Sequence, residues 1–347
     1  MIRIAVIGTG GMGHAHAENF GKIKGCRLVA ACDVDAKRSK VYAEKHGIAQ
    51  SFDSVDKLLD WGKFEAVANV TPDRMHASIS LQALRAGKHV LCEKPLAVCY
   101  ADAAKMARVA RQSGLINMVN FSYRNSSAIH AAKKLVEKGM IGRVMHVNGH
   151  YFQSWLAQNA WGDWRTTPAW LWRLSTAHGS GGVLGDLGVH LLDFTSYPVG
   201  EMASVACTLQ TFPKAPKGKI GEYVFDANDT ALITVRFRNG ALGTVQTTRW
   251  ATSHHNSVAL TIFGDEGAIR IDLDRSYTEL ELCRVKKRVA GPWSTVKCIP
   301  TPSIYQRFIT SIRKGVNDQP DFTRGAEIQK ALDGCVESNT LGRAVKL

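Results

Sequence analysis

The chain lacks the long apolar segments that a membrane protein needs. Its longest uninterrupted apolar runs, such as residues 4–7, have the length of a strand, whereas a membrane-spanning helix takes about 20 residues. Glycines interrupt the first apolar stretch, so the N-terminus does not read as a secretory signal. We therefore expect a protein without membrane partners.

Paired cysteines are also missing. The eight cysteines form no CxxC pair and follow no regular spacing, so neither a disulfide framework nor a thiolate zinc site is predicted. His14 and His16 near the glycine-rich N-terminus, and the separate pair His254 and His255, have no acidic or thiol neighbours of the kind that complete a metal site. We expect packing or polar-surface roles for these histidines, no metal ion, and reduced thiols in a cytoplasmic protein.

Acidic residues are few relative to basic ones. Lys and Arg total 44 against 30 for Asp and Glu, which gives a formal net charge of +14. A charge of this sign can indicate nucleic-acid binding, but the basic residues are scattered apart from residues 284–288, and no stacking or groove-reading motif accompanies them. A solvated basic surface is the favoured interpretation, and we expect no nucleic-acid partner.

The first third of the chain alternates between strand and helix patterns. Predicted strands cover residues 2–7, 27–32, 66–69, 89–92 and 116–120, and predicted helices cover 14–24, 36–46, 76–86 and 100–113. Such alternation indicates a parallel sheet wound on both faces. With 347 residues in all, of which 45% are hydrophobic, the chain is long enough for two domains. The regular alternation of strand and helix patterns ends near Ser122, which predicts a first domain of residues 1–122.

The remainder, residues 123–347, predicts an α+β domain. An amphipathic helix at 129–138 precedes a strand at 144–151, and further strands are predicted at 229–237, 241–250, 257–263, 268–273 and 279–285. Asn239-Gly240 separates two alternating runs and is a hairpin signal. Helices return at 304–313 and 326–340. We expect a large open, mostly antiparallel sheet in a domain that serves substrate binding and oligomerisation.

A glycine turn follows the first strand. Gly8, Gly10 and Gly13 form a GxGxxG pattern between a predicted strand and a predicted helix, which is the context in which this pattern means dinucleotide binding by a Rossmann fold. Gly8 allows the bend, Gly10 lets the backbone approach a pyrophosphate, and Gly13 lets the helix pack close to the strand. The sequence therefore predicts a nicotinamide dinucleotide site here.

Asp33 bears on which dinucleotide binds. It ends the second predicted strand, about 20 residues after the turn, where a ribose-binding carboxylate belongs. Its charge would accept hydrogen bonds from the ribose of NAD and repel the 2′-phosphate of NADP. Lys37 and Arg38 could instead reach a 2′-phosphate, or they are a solvated helix start. NAD is the predicted cofactor and NADP the alternative.

Two further motifs follow in the first domain. Thr71-Pro72-Asp73 comes after a predicted strand, and Glu93-Lys94-Pro95 ends the next one. Together with the glycine turn, these motifs resemble the Gfo/Idh/MocA family, named for glucose-fructose oxidoreductase, inositol dehydrogenase and a rhizopine catabolism protein. The resemblance continues to the C-terminus.

The resemblance implies a set of cofactor contacts. In it, Lys94 reaches the nicotinamide and the substrate, often with a cis bond before the proline, and its ammonium stabilises a developing alkoxide. Glu93 is expected to orient Lys94 or the cofactor. The full cofactor set implied is Gly8, Gly10, Gly11, Met12, Gly13, Asp33, Arg38, Thr71, Pro72, His76, Glu93 and Lys94.

A second glycine turn lies at residues 179–185 and leads into a predicted helix. Asp186 and His190 are four apart, so an α-helix would place them on one face. An isolated pair of this kind is usually a structural hydrogen bond. The segment also resembles the family's GGGxLxDxGxHxxD motif, which implies that His190 is the acid/base and Asp186 positions the imidazole or a substrate hydroxyl. Asp193 is expected to serve structure.

Tryptophan is concentrated before this turn: five of the eight lie within residues 155–172. Indole faces stack on sugars, but a hydrophobic lid or subunit contact is an equal alternative. Trp172-Arg173 matches a Trp-Arg pair of the family, whereas Ser175-Thr176 replaces the acidic residue often found after it. The predicted substrate set is Arg124, Trp172, Arg173, Asp186 and His190, with the substrate itself left open.

The predicted activity is an NAD(P)-dependent dehydrogenase of a sugar, a sugar derivative or a cyclic polyol. His190 removes the hydroxyl proton, Lys94 stabilises the alkoxide, and hydride leaves to the nicotinamide. The alternatives are an NAD-retaining glycosidase of the same fold and a non-catalytic NAD-binding regulator, against which Lys94, Asp186 and His190 count. A homo-oligomer, dimer or tetramer, is expected.

Overall fold

The computed structural model describes all 347 residues, which divide into two compact units. The first unit comprises Met1–Ser122 and Pro302–Gln329, and the second comprises Tyr123–Thr301 and Lys330–Leu347. None of the helices is both long enough and apolar enough to cross a membrane.

The first unit contains a six-stranded parallel sheet with the strand order β3-β2-β1-β4-β5-β6. Its strands are β1 (Ile2–Ile7), β2 (Cys26–Cys32), β3 (Gln50–Phe52), β4 (Ala66–Asn69), β5 (His89–Cys92) and β6 (Asn117–Val119). The connecting helices are α1 (Gly11–Gly21), α2 (Ala36–Lys45), α3 (Val55–Trp61), α4 (Asp73–Arg85) and α5 (Tyr100–Ser113). The predicted Rossmann sheet is confirmed. Strand β3 and helix α3 were not predicted, because they are too short to show a repeating pattern of apolar residues.

The second unit contains a ten-stranded sheet. In chain order its strands are β7 (Val144–Gln153), β8 (Met202–Gln210), β11 (Thr230–Phe237), β12 (Leu242–Thr248), β13 (Asn256–Gly264), β14 (Gly267–Asp272), β15 (Glu279–Lys286), β16 (Val289–Ala290), β17 (Ser294–Lys297) and β18 (Val345–Lys346). Two short strands, β9 (Lys219–Ile220) and β10 (Tyr223–Val224), form a separate pair. The order is β16-β15-β14-β13-β7-β12-β11-β8-β18, and β17 pairs with β15. All pairs are antiparallel except β7 with β12, so the predicted mostly antiparallel sheet is confirmed.

Alternation along the strands explains why one face of this sheet is covered. In β11, Ala231, Ile233 and Val235 are buried, while Leu232 between them is exposed. The helices that pack on the sheet are α6 (Ser127–Glu137) and α8 (Val189–Val199), and a short α7 (Pro168–Leu171) lies in the tryptophan-rich segment. Period-two burial thus leaves the opposite face of the sheet open.

The segment after residue 301 differs from the prediction. We expected all of 123–347 in the second domain, but α9 (Ile304–Lys314) and the start of α10 (Phe322–Leu341) belong to the first unit. Tyr305 and Phe308 of α9 lie in the same buried apolar cluster as Ile4 and Phe20. The spacing of apolar residues in α9 predicts that one face of the helix is buried. Nothing local in the sequence indicates which of the two units buries that face.

Candidate functional site

The glycine turn at the end of β1 is built so that side chains are excluded. Gly8 has φ +96°, and a Cβ on it would lie 2.4 Å from the carbonyl oxygen of Val70. A Cβ on Gly13 would lie 2.5 Å from the carbonyl oxygen of Gly8, so α1 approaches the turn too closely for any larger residue. At Gly10 and Gly11 a Cβ would meet nothing within 4 Å.

This open space lies at the N-terminus of α1, where unpaired amide groups favour an anion. Met12, in the first turn of the helix, is exposed beside it. The turn therefore fits the pyrophosphate of a dinucleotide.

Asp33 follows β2 and is held by its neighbours. Its Oδ2 accepts hydrogen bonds from the Thr9 amide at 2.9 Å, the Thr9 hydroxyl at 2.8 Å and Arg38 Nε at 3.1 Å. Burial alone would raise the pKa of Asp33, but the hydrogen bonds from Arg38 and Thr9 outweigh it and lower the pKa to about 2. Asp33 is therefore a carboxylate whose charge is partly balanced by a half-exposed guanidinium.

His76 connects the Thr71-Pro72 turn to the Glu93-Lys94-Pro95 turn. It lies in the first turns of α4 with no exposed surface, and its ring nitrogens are 2.8 Å from the Thr71 carbonyl oxygen and 2.7 Å from the Pro95 carbonyl oxygen. Because both partners are acceptors, the arrangement favours the imidazolium form, in which both nitrogens donate. Burial would lower the pKa of His76, but Cys92, Asp73 and the Pro95 carbonyl outweigh that effect and raise the pKa to about 10.

His76 was predicted to contact the cofactor. In the structure its side chain is fully buried, and both ring nitrogens contact carbonyl oxygens of the two turns. The Lys94-Pro95 peptide bond in the second of these turns is cis, as the resemblance implied.

Glu93 is fixed from three directions. Its Oε1 accepts from His16 Nε2 at 2.7 Å and from Asn120 Nδ2 at 2.6 Å, and its Oε2 accepts from the Lys94 amide at 3.2 Å. Burial would raise the pKa of Glu93, but the contacts with His16, Asn120 and Lys94 lower it to about 2. Glu93 is thus a buried carboxylate that anchors the turn carrying Lys94.

His16 was expected to be a packing or surface residue, and its role as a partner of Glu93 was not predicted. It is buried on the inner face of α1 with Gly13, Ala17 and Phe20. The available signal was its position three residues after the last glycine of the turn, which places it on the buried face of the helix. His14 instead contacts His46 at 2.7 Å.

In the second unit, Asp186 and His190 are joined by an unexpected turn. Leu184–Gly188 is a π-helix that runs into α8, so the one-face geometry expected of an α-helix does not apply between the two residues. Asp186 Oδ2 accepts from Arg173 Nη1 at 3.1 Å and from Arg249 Nη2 at 3.0 Å. Such π turns are frequent at functional sites.

His190 lies against an aromatic and polar network. Its ring meets the Tyr123 ring edge to face, with centroids 5.1 Å apart. The Tyr123 hydroxyl donates to the Tyr151 hydroxyl at 2.8 Å, which donates to Asn256 Oδ1 at 2.9 Å. Burial, with lesser contributions from Tyr277 and Asp186, raises the pKa of Tyr123 to about 12, so this network stays neutral near pH 7.

The tryptophan-rich segment divides into core and surface. Trp155 and Trp164 are buried with Leu171, Leu174 and Phe225 in one apolar cluster. Trp172, by contrast, is 38% exposed, and the Arg173 guanidinium carbon lies 4.8 Å from its ring centroid. A solvent-accessible indole beside the arginine that binds Asp186 is available for a ligand.

Arg124 was predicted to contact substrate, and the structure gives it another partner. Its side chain is 1% exposed, and Nε and Nη2 donate to the two oxygens of Asp193 at 2.6 and 2.7 Å. Its guanidinium also stacks on Tyr197 at 3.4 Å. A buried bidentate pair of this kind is a structural contact, which also accounts for Asp193.

No group of three or more His, Cys, Asp or Glu side chains is arranged to hold a metal ion.

Comparison with known proteins adds two family matches and a group of relatives. Residues 2–121 match the oxidoreductase family with an NAD-binding Rossmann fold, and residues 129–270 match the GFO/IDH/MocA C-terminal domain. The levoglucosan dehydrogenase of Pseudarthrobacter phenanthrenivorans is 30% identical over 302 residues, covering 79% of this chain and 74% of that protein. The myo-inositol 2-dehydrogenase of Thermotoga maritima is 29% identical, covering 80% and 77%. The D-glucoside 3-dehydrogenase of Escherichia coli is 28% identical, covering 80% and 79%.

The fold is also similar to the folds of solved structures. A levoglucosan dehydrogenase in complex with NADH and L-sorbose matches 99% of this chain and 98% of its own, with a TM-score of 0.87 and 27% identity. These comparisons confirm the predictions of an oxidoreductase, of NAD as its cofactor and of relatives that are sugar and polyol dehydrogenases. The chain belongs to the GFO/IDH/MocA family of NAD-binding oxidoreductases.

Proposed function

We propose that the protein is an NAD-dependent dehydrogenase that acts on a carbinol group of a sugar, a sugar derivative or a cyclic polyol. The observation that carries the proposal is the arrangement of Asp186, held between Arg173 and Arg249, at the π turn that leads to His190. It combines a fixed carboxylate for hydroxyl groups with a histidine that can exchange a proton near neutral pH. The names of the relatives support sugars and polyols as the class.

In the proposed reaction, His190 accepts the proton of the substrate hydroxyl, and Asp186 orients either the imidazole or a neighbouring hydroxyl. The Lys94 ammonium stabilises the negative charge that develops on the carbinol oxygen. Glu93, anchored by His16 and Asn120, keeps the turn of Lys94 in place. NAD supplies the hydride acceptor, for which the glycine turn, Asp33, Arg38 and the Thr71-Pro72 turn provide the site.

A substrate panel tests this proposal. Sugars, anhydrosugars, glycosides and inositols are incubated with the protein and NAD, and reduced nicotinamide is followed by absorbance. Net NADH formation with one class of substrate is expected. Cleavage of a glycoside without net NADH would identify the glycosidase instead, and NAD binding without turnover of any compound would favour the regulator.

The cofactor preference should depend on Asp33 and Arg38 in opposite directions. Because the Asp33 carboxylate would repel a 2′-phosphate, NAD should give the higher kcat/KM, and Asp33→Ala should narrow the ratio of NAD to NADP by about tenfold or more. Arg38→Ala removes the guanidinium that balances this carboxylate and should widen the ratio. Steady-state kinetics with both dinucleotides measure the effect. Equal use of both by the unmutated protein would overturn the assignment of Asp33.

We also propose that the protein is a cytoplasmic homo-oligomer assembled through the open face of the second unit's sheet. Leu232, Leu242 and Phe263 project from that face and are exposed in the single chain. Large apolar side chains on an uncovered sheet favour association with a second copy. The state is a dimer or a tetramer, and size-exclusion chromatography with light scattering measures it.

Trp172 distinguishes a substrate surface from a subunit contact. If its exposed indole stacks on the sugar, Trp172→Ala should raise KM several-fold, on the order of the 1 kcal/mol that such contacts contribute, with little change in melting temperature. Trp164→Ala, a change of the same residue type in the buried cluster, should instead lower the melting temperature. If Trp172→Ala altered the oligomer and left KM unchanged, the segment would be an interface.

A further inference from the structure

We propose that Arg249 is a positioning residue of the reaction, which fixes the Asp186 carboxylate and the Trp172-Arg173 turn in one arrangement. The inference rests on the proposed function for its kinetic consequences. Its geometric basis is independent of the substrate. Arg249 was not singled out in the sequence, because nothing in its neighbourhood there connects it with residues 173 or 186.

The guanidinium of Arg249 joins the two segments that carry the substrate residues. Its Nη2 donates to Asp186 Oδ2 at 3.0 Å, and its Nη1 donates to the backbone carbonyl oxygen of Arg173 at 3.0 Å. The planar fork of an arginine has two donors at fixed spacing, so both contacts come from one rigid group. The position of Asp186 is thereby tied to the turn that presents Arg173 and Trp172.

The fork is itself held by the protein. Arg249 immediately follows β12, and its amide donates to the Asp229 carbonyl oxygen at 3.0 Å, while its own carbonyl oxygen accepts from the Leu156 amide at 3.2 Å. The guanidinium carbon lies 5.1 Å from the ring centroid of Trp155. The backbone and the side chain are both constrained, so the guanidinium has one available position.

Burial separates the role of Arg249 from that of Arg173. The Arg249 side chain is 1% exposed, whereas the Arg173 side chain is 32% exposed. Arg173 is therefore accessible to a substrate hydroxyl, and Arg249 is not. An arginine that cannot touch substrate but holds the carboxylate that would touch it acts through that carboxylate.

The π turn gives a reason why such an anchor is needed. Asp186 lies inside Leu184–Gly188, where the hydrogen-bond pattern of the α-helix is interrupted. Its carboxylate makes contacts with arginines outside the turn, and these contacts hold its orientation. The two contacts on Oδ2 come from arginines of two other segments, and only Arg249 is fixed by burial.

The charges around this group favour the same interpretation. Burial lowers the pKa of Arg249, and Asp186 opposes that effect, as does Asp229 more weakly, whereas Arg173 adds to it. Asp229 has its own buried partner in Lys214, whose Nζ lies 2.8 Å from Oδ2. Asp186, 28% exposed, is thus the carboxylate in direct contact with the buried guanidinium, and loss of that contact would leave a buried charge less well paired.

Two variants test the inference. Arg249→Lys keeps a positive charge but loses the fork, and Arg249→Met loses both. We expect kcat to fall about 10²-fold and KM to rise in each, since a displacement of about 1 Å at a reacting group can cost that much. The Kd for NAD should stay unchanged, because Arg249 lies outside the dinucleotide-binding fold.

Arg307→Lys is the matched control. Arg307 is also a buried fork, with Nε donating to Asp318 at 2.8 Å and Nη2 to the Gln319 carbonyl oxygen, but it lies in the first unit and contacts none of the reaction residues. This variant should lower the melting temperature and leave kcat and KM unchanged. Losses in Arg249→Lys that match those in Arg307→Lys would reduce Arg249 to a stability role and overturn the inference.

A double-mutant cycle covers the case in which Arg249→Met folds poorly. Asp186→Asn removes the charge that Arg249 and Arg173 balance, so the double variant has no carboxylate at position 186 that has lost one of its two arginine partners. If Arg249 acts through Asp186, adding Arg249→Met to Asp186→Asn should change kcat less than twofold to threefold, roughly within the error of independent effects. Full additivity of the two losses would contradict the inference.

A substrate-free measurement separates this inference from the proposed function. Arg173 and Arg249 contact Asp186, and the ring of Tyr123 contacts His190. Loss of the Arg249 charge leaves the Asp186 charge less balanced, so the NMR titration midpoint of the His190 ring should rise in Arg249→Met. Arg307→Lys should leave it unchanged. An unmoved midpoint would overturn the inference even if the panel showed turnover, and a moved midpoint would support it if the panel showed none.

Discussion

His190→Ala should lower kcat by about 10² or more, because a positioned general base contributes 10² to 10⁴ in reactions of this type. The residue is 7% exposed and packs edge to face on Tyr123, so its imidazole is held in a defined orientation next to the Asp186 turn. The affinity for NAD should change little, since His190 belongs to the second unit and the glycine turn to the first. Steady-state absorbance of NADH and fluorescence titration with NAD give the two numbers.

His146→Ala is the control for this variant. His146 is an exposed histidine of β7 beside Leu242 and Phe263 on the open sheet face, so the two proteins are compared at the same oligomeric state, where His146→Ala should have no effect on kcat per chain. His190→Gln adds a further arm, because glutamine retains a polar group of similar reach but cannot exchange a proton near neutral pH. Turnover of either His190 variant within about threefold of the unmutated protein would leave His190 with a packing role against Tyr123.

Lys94→Ala should lower kcat by about 10² to 10³, the cost of removing one group that stabilises a developing oxyanion. The backbone of Lys94 is fixed through Glu93 and through the His76 contact with the Pro95 carbonyl oxygen, so the loss should come from the missing ammonium. Lys94→Arg keeps a cation of different shape and should recover only part of the rate. Single-turnover kinetics separate this loss from any change in product release.

Lys105→Ala is the matched control for Lys94→Ala. Lys105 is an exposed lysine on α5 and should leave kcat, KM and melting temperature unaltered. If Lys94→Ala raised KM alone and left kcat intact, Lys94 would contribute uniform binding, and the proposed stabilisation of the alkoxide would be wrong.

Local signals in the sequence account for the parts of the molecule that were predicted well. The glycine turn was recognisable because its main restrictions are local: Gly8 has φ +96°, and a Cβ on Gly13 would meet the carbonyl oxygen of Gly8. The alternation of β11 and β12 around Asn239-Gly240 is also local. Local patterns of this kind were sufficient to predict the first sheet, most of the second sheet and the positions of the glycine and lysine motifs.

Long-range contacts account for the parts that were missed. Arg249 and Asp186 are 63 positions apart, and only the fold brings them to 3.0 Å. Arg124 was predicted to contact substrate, and its bidentate contact with Asp193, 69 positions away, was not predicted. His16 and Glu93 are 77 positions apart. The π turn at Leu184–Gly188 has no composition that separates it from an α-helix.

The discontinuity of the first unit has a consequence for biosynthesis. Tyr305 and Phe308 complete the apolar cluster that includes Ile4 and Phe20, but they leave the ribosome only after the segment from Tyr123 to Thr301. The newly made N-terminal sheet therefore has part of its core open to water while residues 123–301 are being made, when nascent chains are prone to aggregate. A fragment that stops at Ser122 lacks the helix that packs with Ile4 and Phe20, so residues 1–122 alone do not form a complete folding unit.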